Sequence, residues 1–105
     1  EVMQETKVGG ATLTNMLGTS AWYAPGAAVS SLVQAIACDQ HKMFPCSALL
    51  EGEYGLNDLC IGVPLILGKS GIQKIVEIDL DQHEKDKLAE SAKSVKVTNS
   101  LLNKI

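Results

Sequence analysis

The chain has 105 residues, of which 46% are hydrophobic and 20% are charged, so it is long enough for one domain or part of one. That balance is typical of a globular protein and excludes a disordered one. The net charge of −3 excludes a basic nucleic-acid-binding surface, because phosphate contacts need clustered positive charge. No apolar run reaches the roughly 18 residues of a membrane helix, so we expect no membrane span.

The cysteines Cys38, Cys46 and Cys60 include no Cys-x-x-Cys pair. An odd number of thiols without paired spacing argues against a secreted disulfide framework, and we therefore expect a reducing, cytoplasmic location. A zinc site would need His41 together with all three thiols. Since Cys46 lies inside an apolar run, where a free cysteine behaves as a small hydrophobic residue, we predict no metal site.

Two helices are predicted in the first third of the chain, over residues 1–17 and 22–37. In the first, the pair Gly9-Gly10 costs roughly 1 kcal/mol per glycine relative to alanine. Two alternatives stay open: the helix breaks at this pair, or the missing side chains admit a close neighbour. Pro25 suits the first turn of the second helix, where its missing N–H is not needed.

Three antiparallel strands are predicted over about residues 43–50, 59–67 and 72–78. The last two are joined by residues 68–71, which have glycine at both ends, as in a hairpin. Pro64 lies within the second strand and cannot donate a hydrogen bond to a neighbouring strand. It therefore predicts an edge strand or a bulge.

A third helix is predicted over residues 82–105. Asp81 is the expected N-cap, with Glu84 three residues later in the capping-box position. Apolar residues recur after it at helical spacing and indicate one buried stripe: Leu88, Ala92, Val95, Leu102 and Ile105. The predicted class is α+β, a three-stranded antiparallel sheet packed by helices.

Side chains with catalytic potential do not form a recognisable set. Glu51, Glu53 and Asp58 lie close to the first strand connection and are candidates for a cation site or an acid pair, but acids in such a loop are usually just solvated. His83 lies among acidic residues in the first turn of the last helix, which is typical of a solvated face. No serine has a histidine partner, and no glycine pattern predicts a phosphate cradle. Residue by residue, the chain carries no complete active site.

Two segments are specific enough to indicate a family. GTSAWYAPGAAVSSLVQAI begins at Gly18, and LLEGEYGLNDLCIGVPLILGKSGIQKIVEIDL begins at Leu49. In this order and spacing they resemble the C-terminal part of the lactate/malate dehydrogenase family, and within it the malate dehydrogenases built on the lactate dehydrogenase pattern. The resemblance extends over essentially the whole chain.

The resemblance implies an NAD-dependent 2-hydroxy-acid dehydrogenase acting on (S)-malate and oxaloacetate. In this family hydride moves between substrate C2 and nicotinamide C4, a histidine exchanges the hydroxyl proton, an aspartate orients it, and arginines grip the carboxylates. This chain departs from that pattern, because its nine basic residues are all lysines and it has no Rossmann glycine motif. We expect residues 1–105 to be the C-terminal portion of the substrate domain, without the N-terminal Rossmann domain, inactive alone and without bound NAD.

Three site residues carry over by position from the resemblance. Ala21 matches the residue that lines the substrate pocket, where lactate enzymes typically have threonine, and a small side chain there leaves room for oxaloacetate. Ser20 is its neighbour and is expected to face the pocket too. Pro25 matches the apolar residue that lies against the nicotinamide ring. Without the resemblance, all three are read as the start of a helix.

The resemblance also implies a homo-oligomer, a dimer or tetramer, assembled through helices 1–17 and 22–37. The small residues of the second helix agree with this, since they allow close approach of a neighbouring helix. Two alternatives stay open: a segment of a lactate or other 2-hydroxy-acid dehydrogenase, and a non-catalytic oligomerisation module. An unrelated α+β domain is a third.

Overall fold

The computed structural model describes residues 1–102, which form two α-helices, then three β-strands, then a third α-helix. In chain order they are α1 (Val2–Leu17), α2 (Tyr23–Ala37), β1 (Lys42–Glu51), β2 (Asn57–Gly68), β3 (Gly71–Ile75) and α3 (Gln82–Ser100). The predicted α+β class and antiparallel sheet are confirmed. The chain divides into two compact units, Glu1–Val33 and the residues from Gln34 onward.

Helix α1 runs without interruption through Gly9 and Gly10. The predicted alternative of a break is therefore wrong. Apart from the backbone of α1 itself and the adjacent residues, no atom within residues 1–102 lies within 4 Å of the position that a Cβ would take at either glycine. The helix ends at Gly18, whose φ of 73° is the left-handed conformation that glycine adopts at little cost.

The sheet has the order β1-β2-β3, and both neighbouring pairs are antiparallel. Directly opposite residues share one face of a sheet, and Leu50 lies opposite Leu59 while Phe44 lies opposite Leu65. The three fully buried leucines of the chain are Leu50, Leu59 and Leu65, all on this face. Each contributes about 1.5–3 kcal/mol relative to an exposed position, so this face is the core of the second unit.

Pro64 does not mark an edge or a bulge, and the sequence-based prediction was wrong. Strand β2 is central, and the two register shifts lie elsewhere, at Leu50/Glu51 and at Ile66/Leu67. On the β1 side, Pro64 faces Pro45. On the β3 side, the Pro64 carbonyl accepts from the Val76 N–H at 2.8 Å. In an antiparallel sheet the N–H and C=O of one residue point to the same neighbouring strand. The N–H that Pro64 lacks would therefore have donated to the Val76 carbonyl, and no group of β1 loses a hydrogen bond.

The side chain of Tyr54 supplies that missing donor. Its hydroxyl donates to the Val76 carbonyl at 2.6 Å and accepts from the Ile78 N–H at 2.9 Å. Strand β3 therefore ends at Ile75 rather than at residue 78 as predicted. Beyond it, Val76 and Ile78 are hydrogen-bonded to the Tyr54 side chain instead of to a neighbouring strand. Tyr54 lies in the 3₁₀ turn Glu53–Gly55 between β1 and β2, with φ 56°.

Helix α3 begins as its sequence predicts. Asp81 Oδ1 accepts from the Glu84 N–H at 2.8 Å, and Glu84 Oε2 accepts from the Asp81 N–H at 2.9 Å, which is the capping box. Ala92 is buried, and Leu88 and Val95 beside it are half-buried, so this part of the predicted stripe faces inward. Leu102, predicted to lie on the same stripe, is 68% exposed, and that part of the prediction was wrong. The helix ends at Ser100 rather than at residue 105, and Ile105 lies outside the described residues. No helix within residues 1–102 is both long and apolar enough to cross a membrane.

Candidate functional site

The residues that the resemblance singles out all lie in the linker between α1 and α2 or in the first turn of α2. Ser20 and Ala21 are half-buried, whereas almost all the residues around them in the first unit are exposed. Pro25 is exposed in the first turn of α2, as its fixed φ and missing N–H favour. The structure therefore places the three predicted site residues within one short segment.

Trp22 has an unusual backbone conformation. Its φ is 62°, the left-handed region, and its carbonyl accepts from the Gly26 N–H at 2.9 Å, which closes the first turn of α2. Ala21 directly precedes Trp22, and Pro25 lies three residues after it. Sequence reasoning did not single out Trp22, because a tryptophan gives no signal for positive φ.

The chemistry available to this segment is limited by its composition. Residues 18–26 read GTSAWYAPG and contain no carboxylate, no amine and no imidazole. Such a segment shapes a cavity wall and offers apolar surface to a flat ring. It supplies neither the strong proton acceptor nor the bidentate cation that 2-hydroxy-acid chemistry needs.

A second polar cluster connects the end of α2 with the turn between β2 and β3. Asp39 Oδ1 accepts from the Lys69 N–H at 2.8 Å and lies 3.0 Å from His41 Nε2. The Lys69 N–H is the main reason that the pKa of Asp39 is lowered, and the nearby His41 lowers it further. Both side chains are largely exposed. His41 is thus the partner of a structural carboxylate in a surface turn.

Gly68 makes this connection possible. A Cβ at this position would lie 2.8 Å from Asp39 Oδ1, closer than real contacts allow. The absence of a side chain at Gly68 therefore lets Asp39 reach the main chain of the β2–β3 turn.

A third cluster surrounds Tyr54. Glu77 Oε1 accepts from the Tyr54 N–H at 2.7 Å, in addition to the two bonds of the hydroxyl. Glu53 Oε2 accepts from the Glu51 N–H at 2.7 Å, and main-chain donors lower the pKa of Glu53. The carboxylates of Glu53 and Glu77 are thus engaged with the main chain, whereas within residues 1–102 the side chains of Glu51 and Asp58 make no hydrogen bond. Beside them lies an open cavity of about 440 Å³, lined among others by Tyr54, Leu56, Glu77, Ile78, Leu80 and Leu88.

The remaining candidates stay apart. Cys38 and Cys60 are exposed, Cys46 is half-buried, and all three are free thiols. His83 is exposed in the first turn of α3. Within residues 1–102, no group of three or more His, Cys, Asp or Glu side chains is arranged to hold a metal ion.

Comparison with known proteins shows which family has this architecture. Residues 1–102 match the family described as lactate/malate dehydrogenase, alpha/beta C-terminal domain. Malate dehydrogenase from Bacteroides thetaiotaomicron is 63% identical over the whole chain, and malate dehydrogenase from Flavobacterium johnsoniae is 56% identical. The chain spans 34% of the length of each of these relatives, so it corresponds to about a third of them.

Solved structures agree with the sequence relatives. Malate dehydrogenase from Salinibacter ruber superposes with a TM-score of 0.94 at 44% identity, covering 98% of this chain and 34% of that one. Lactate dehydrogenase from Eimeria maxima, solved with NADH and oxamate, has a TM-score of 0.89 at 35% identity, covering 95% of this chain and 30% of that one. The chain belongs to the lactate/malate dehydrogenase family and has the fold of its alpha/beta C-terminal domain.

Proposed function

We propose that the chain is the C-terminal portion of the substrate domain of an NAD-dependent malate dehydrogenase, which interconverts (S)-malate and oxaloacetate. The observation that carries the proposal is the 63% identity to a malate dehydrogenase over the full length of this chain. The relatives are about three times as long. On this proposal the Rossmann domain, the catalytic histidine and the substrate-binding arginines belong to the part of the enzyme that precedes this segment, and the segment alone is inactive.

Within that enzyme, Ala21 is the wall of the substrate pocket that leaves room for the larger substrate. Oxaloacetate carries a carboxylate where pyruvate carries a hydrogen, so the pocket must be wider at this end. The half-buried position of Ala21, in a segment without charged side chains, supports this role. Ser20 is half-buried beside it and extends the same wall.

Pro25 is proposed to lie against the nicotinamide ring of NAD. The fit rests on a rigid apolar side chain that is exposed at the start of α2 and has no charged neighbour within residues 18–26. NAD, when bound, accepts or returns the hydride of the reaction. The contribution of this chain is to orient the ring and to exclude water from one side of it.

The complete enzyme is proposed to be a homo-oligomer that uses α1 and α2. Large apolar side chains along both helices are exposed in this chain, among them Val8, Leu13, Val29 and Val33. The free thiols and the composition support a cytoplasmic location. A lactate dehydrogenase is the second candidate, favoured by the TM-score of 0.89 to the enzyme from Eimeria maxima.

The test is NADH oxidation by the complete polypeptide that contains this segment, with oxaloacetate and pyruvate compared side by side. A malate dehydrogenase prefers oxaloacetate. Ala21→Thr should narrow the pocket and lower kcat/KM for oxaloacetate by roughly 10–200-fold, the range that one added group has in a fitted pocket. Ala24→Thr, at an exposed position in the first turn of α2 three residues further on, is the matched control. A preference for pyruvate in the unmodified enzyme would favour the lactate assignment.

A further inference from the structure

We propose that Trp22 is a positioning residue for the substrate pocket: its left-handed backbone, held by its indole ring, keeps Ala21 at the pocket wall. The proposal rests on the proposed function of the preceding paragraphs and adds a residue to it. The starting observation is the φ of 62° at a bulky aromatic residue. Bulky side chains rarely adopt this conformation, because Cβ crowds the following carbonyl group.

The other non-glycine residues with positive φ have local explanations. Asp39, Asp58 and His41 belong to types that tolerate this region, and Asp39 also bonds to the Lys69 N–H. Tyr54 is aromatic like Trp22, but its N–H and its hydroxyl make three hydrogen bonds that fix the turn. Its strain is thus compensated within the second unit.

Among residues 1–102, no side-chain hydrogen bond comparable to those of Tyr54 compensates the backbone of Trp22. Its side chain is 72% exposed, so little of residues 1–102 packs against the ring. Glycine would adopt the same backbone without the steric cost. A tryptophan that occupies a position suited to glycine therefore needs contacts made by its ring. The relatives are about three times as long as this chain, and the remainder of the same polypeptide is the partner that we infer for the indole.

The consequence for the site follows from the sequence position. Trp22 separates the half-buried Ala21 from the first turn of α2, and its carbonyl receives the Gly26 N–H that starts the helix. A different φ at this residue would redirect Ala21 relative to Pro25. Strained backbone of this kind persists where the surroundings determine it, and it is concentrated at functional sites.

The experiment uses the complete enzyme and measures the ratio of kcat/KM for oxaloacetate to that for pyruvate. Because glycine adopts positive φ easily, Trp22→Gly still permits the native backbone conformation, but it removes the indole ring and makes the turn more flexible. We expect the ratio to shrink by on the order of tenfold, the lower end of what a single pocket contact contributes to discrimination. Trp22→Phe retains an aromatic ring and should keep most of the ratio. A merely structural role would lower the active fraction and affect both substrates equally, which leaves the ratio unchanged.

Tyr23→Ala is the matched control, because Tyr23 is the adjacent aromatic residue, 80% exposed and in helical backbone. It should keep the ratio of the unmodified enzyme. Trp22→Asn, which also tolerates positive φ, gives the same measurement if the glycine variant does not fold. An unchanged ratio in folded Trp22→Gly and Trp22→Asn, or an equal loss in Tyr23→Ala, would overturn the proposal. The proposed function fails separately, by the substrate preference of the unmodified enzyme.

Discussion

The two units of the chain differ in how much of their own stability they contain. The residues from Gln34 onward bury Leu50, Leu59 and Leu65 completely and satisfy a missing strand donor with a tyrosine hydroxyl. In the unit Glu1–Val33, helix α1 has no buried residue. All three proposed site residues nevertheless lie in this first unit. The sheet unit buries its own apolar core, whereas no residue of the unit Glu1–Val33, which carries the proposed site, is buried.

The largest expected effect separates the two units directly. Leu65→Ala removes a fully buried side chain from the centre of β2 and should lower the free energy of unfolding by about 2–5 kcal/mol. Val29→Ala, at an exposed position of α2, should change it by less than about 0.5 kcal/mol when measured on this chain. Urea denaturation followed by circular dichroism measures both.

A control variant and one contradicting outcome test whether the two units differ in stability. Leu49→Ala is the control within the sheet, because Leu49 precedes a buried leucine but is 54% exposed itself. It should cost much less than Leu65→Ala. Equal losses for Leu65→Ala and Val29→Ala in this chain would contradict the contrast between a scaffold unit and a dependent unit.

A medium effect is expected at Tyr54. Tyr54→Phe removes the hydroxyl that bonds to Val76 and Ile78 and leaves two main-chain groups without their partner, at a cost of about 1–3 kcal/mol. Pro64→Val restores an N–H that points at the Val76 carbonyl. We therefore expect Tyr54→Phe to cost less in the Pro64→Val background than alone, a coupling that a double-mutant cycle measures.

The control for this cycle is Tyr23→Phe, an exposed tyrosine in α2, which should leave stability unchanged. Additive effects of Tyr54→Phe and Pro64→Val would show that the hydroxyl does not replace the donor that proline lacks.

The smallest expected effect is a pH dependence at Asp39. Since the Lys69 N–H holds the pKa of Asp39 below its ordinary value, the carboxylate contributes stability above the unfolded-state pKa of about 3.9. That contribution is lost as the pH falls through the folded-state pKa. Asp39→Asn should therefore show a shallower loss of stability below about pH 4, as measured by denaturation between neutral and acidic pH.

His41→Asn separates the two causes of that shift. The main-chain bond from Lys69 is the larger cause and His41 the smaller one, so His41→Asn should retain most of the acid dependence. An acid dependence that disappears with His41 would assign the shift to the ion pair instead.

Much of the second unit was predictable from local patterns. The capping box at Asp81 and Glu84, the inward stripe of α3 and the hairpin between β2 and β3 depend on residues close in sequence. The end of β3 was not predictable, because it depends on Pro64 and on a tyrosine more than twenty residues away from the segment it holds. The bond from Asp39 to the turn at Lys69 spans thirty residues and was missed for the same reason.

The residues of the candidate site were likewise predictable only in part. Ala21, Ser20 and Pro25 were found through the specific motif that contains them, and their roles stay predictions. Trp22 was missed, because a bulky aromatic residue has no propensity for the positive φ that it adopts here.

The family, the α+β class and the approximate bounds of the helices and strands could all be read from the amino-acid sequence. These follow from periodicity, caps and motif spacing, which are local properties. Three features became visible only in the folded structure: β2 is central despite its proline, Tyr54 replaces the donor that Pro64 lacks, and Trp22 has a left-handed backbone beside Ala21. The first two depend on which groups meet across the fold, and a hydrogen bond between distant residues leaves no local pattern in the sequence. The third runs against the propensity of tryptophan.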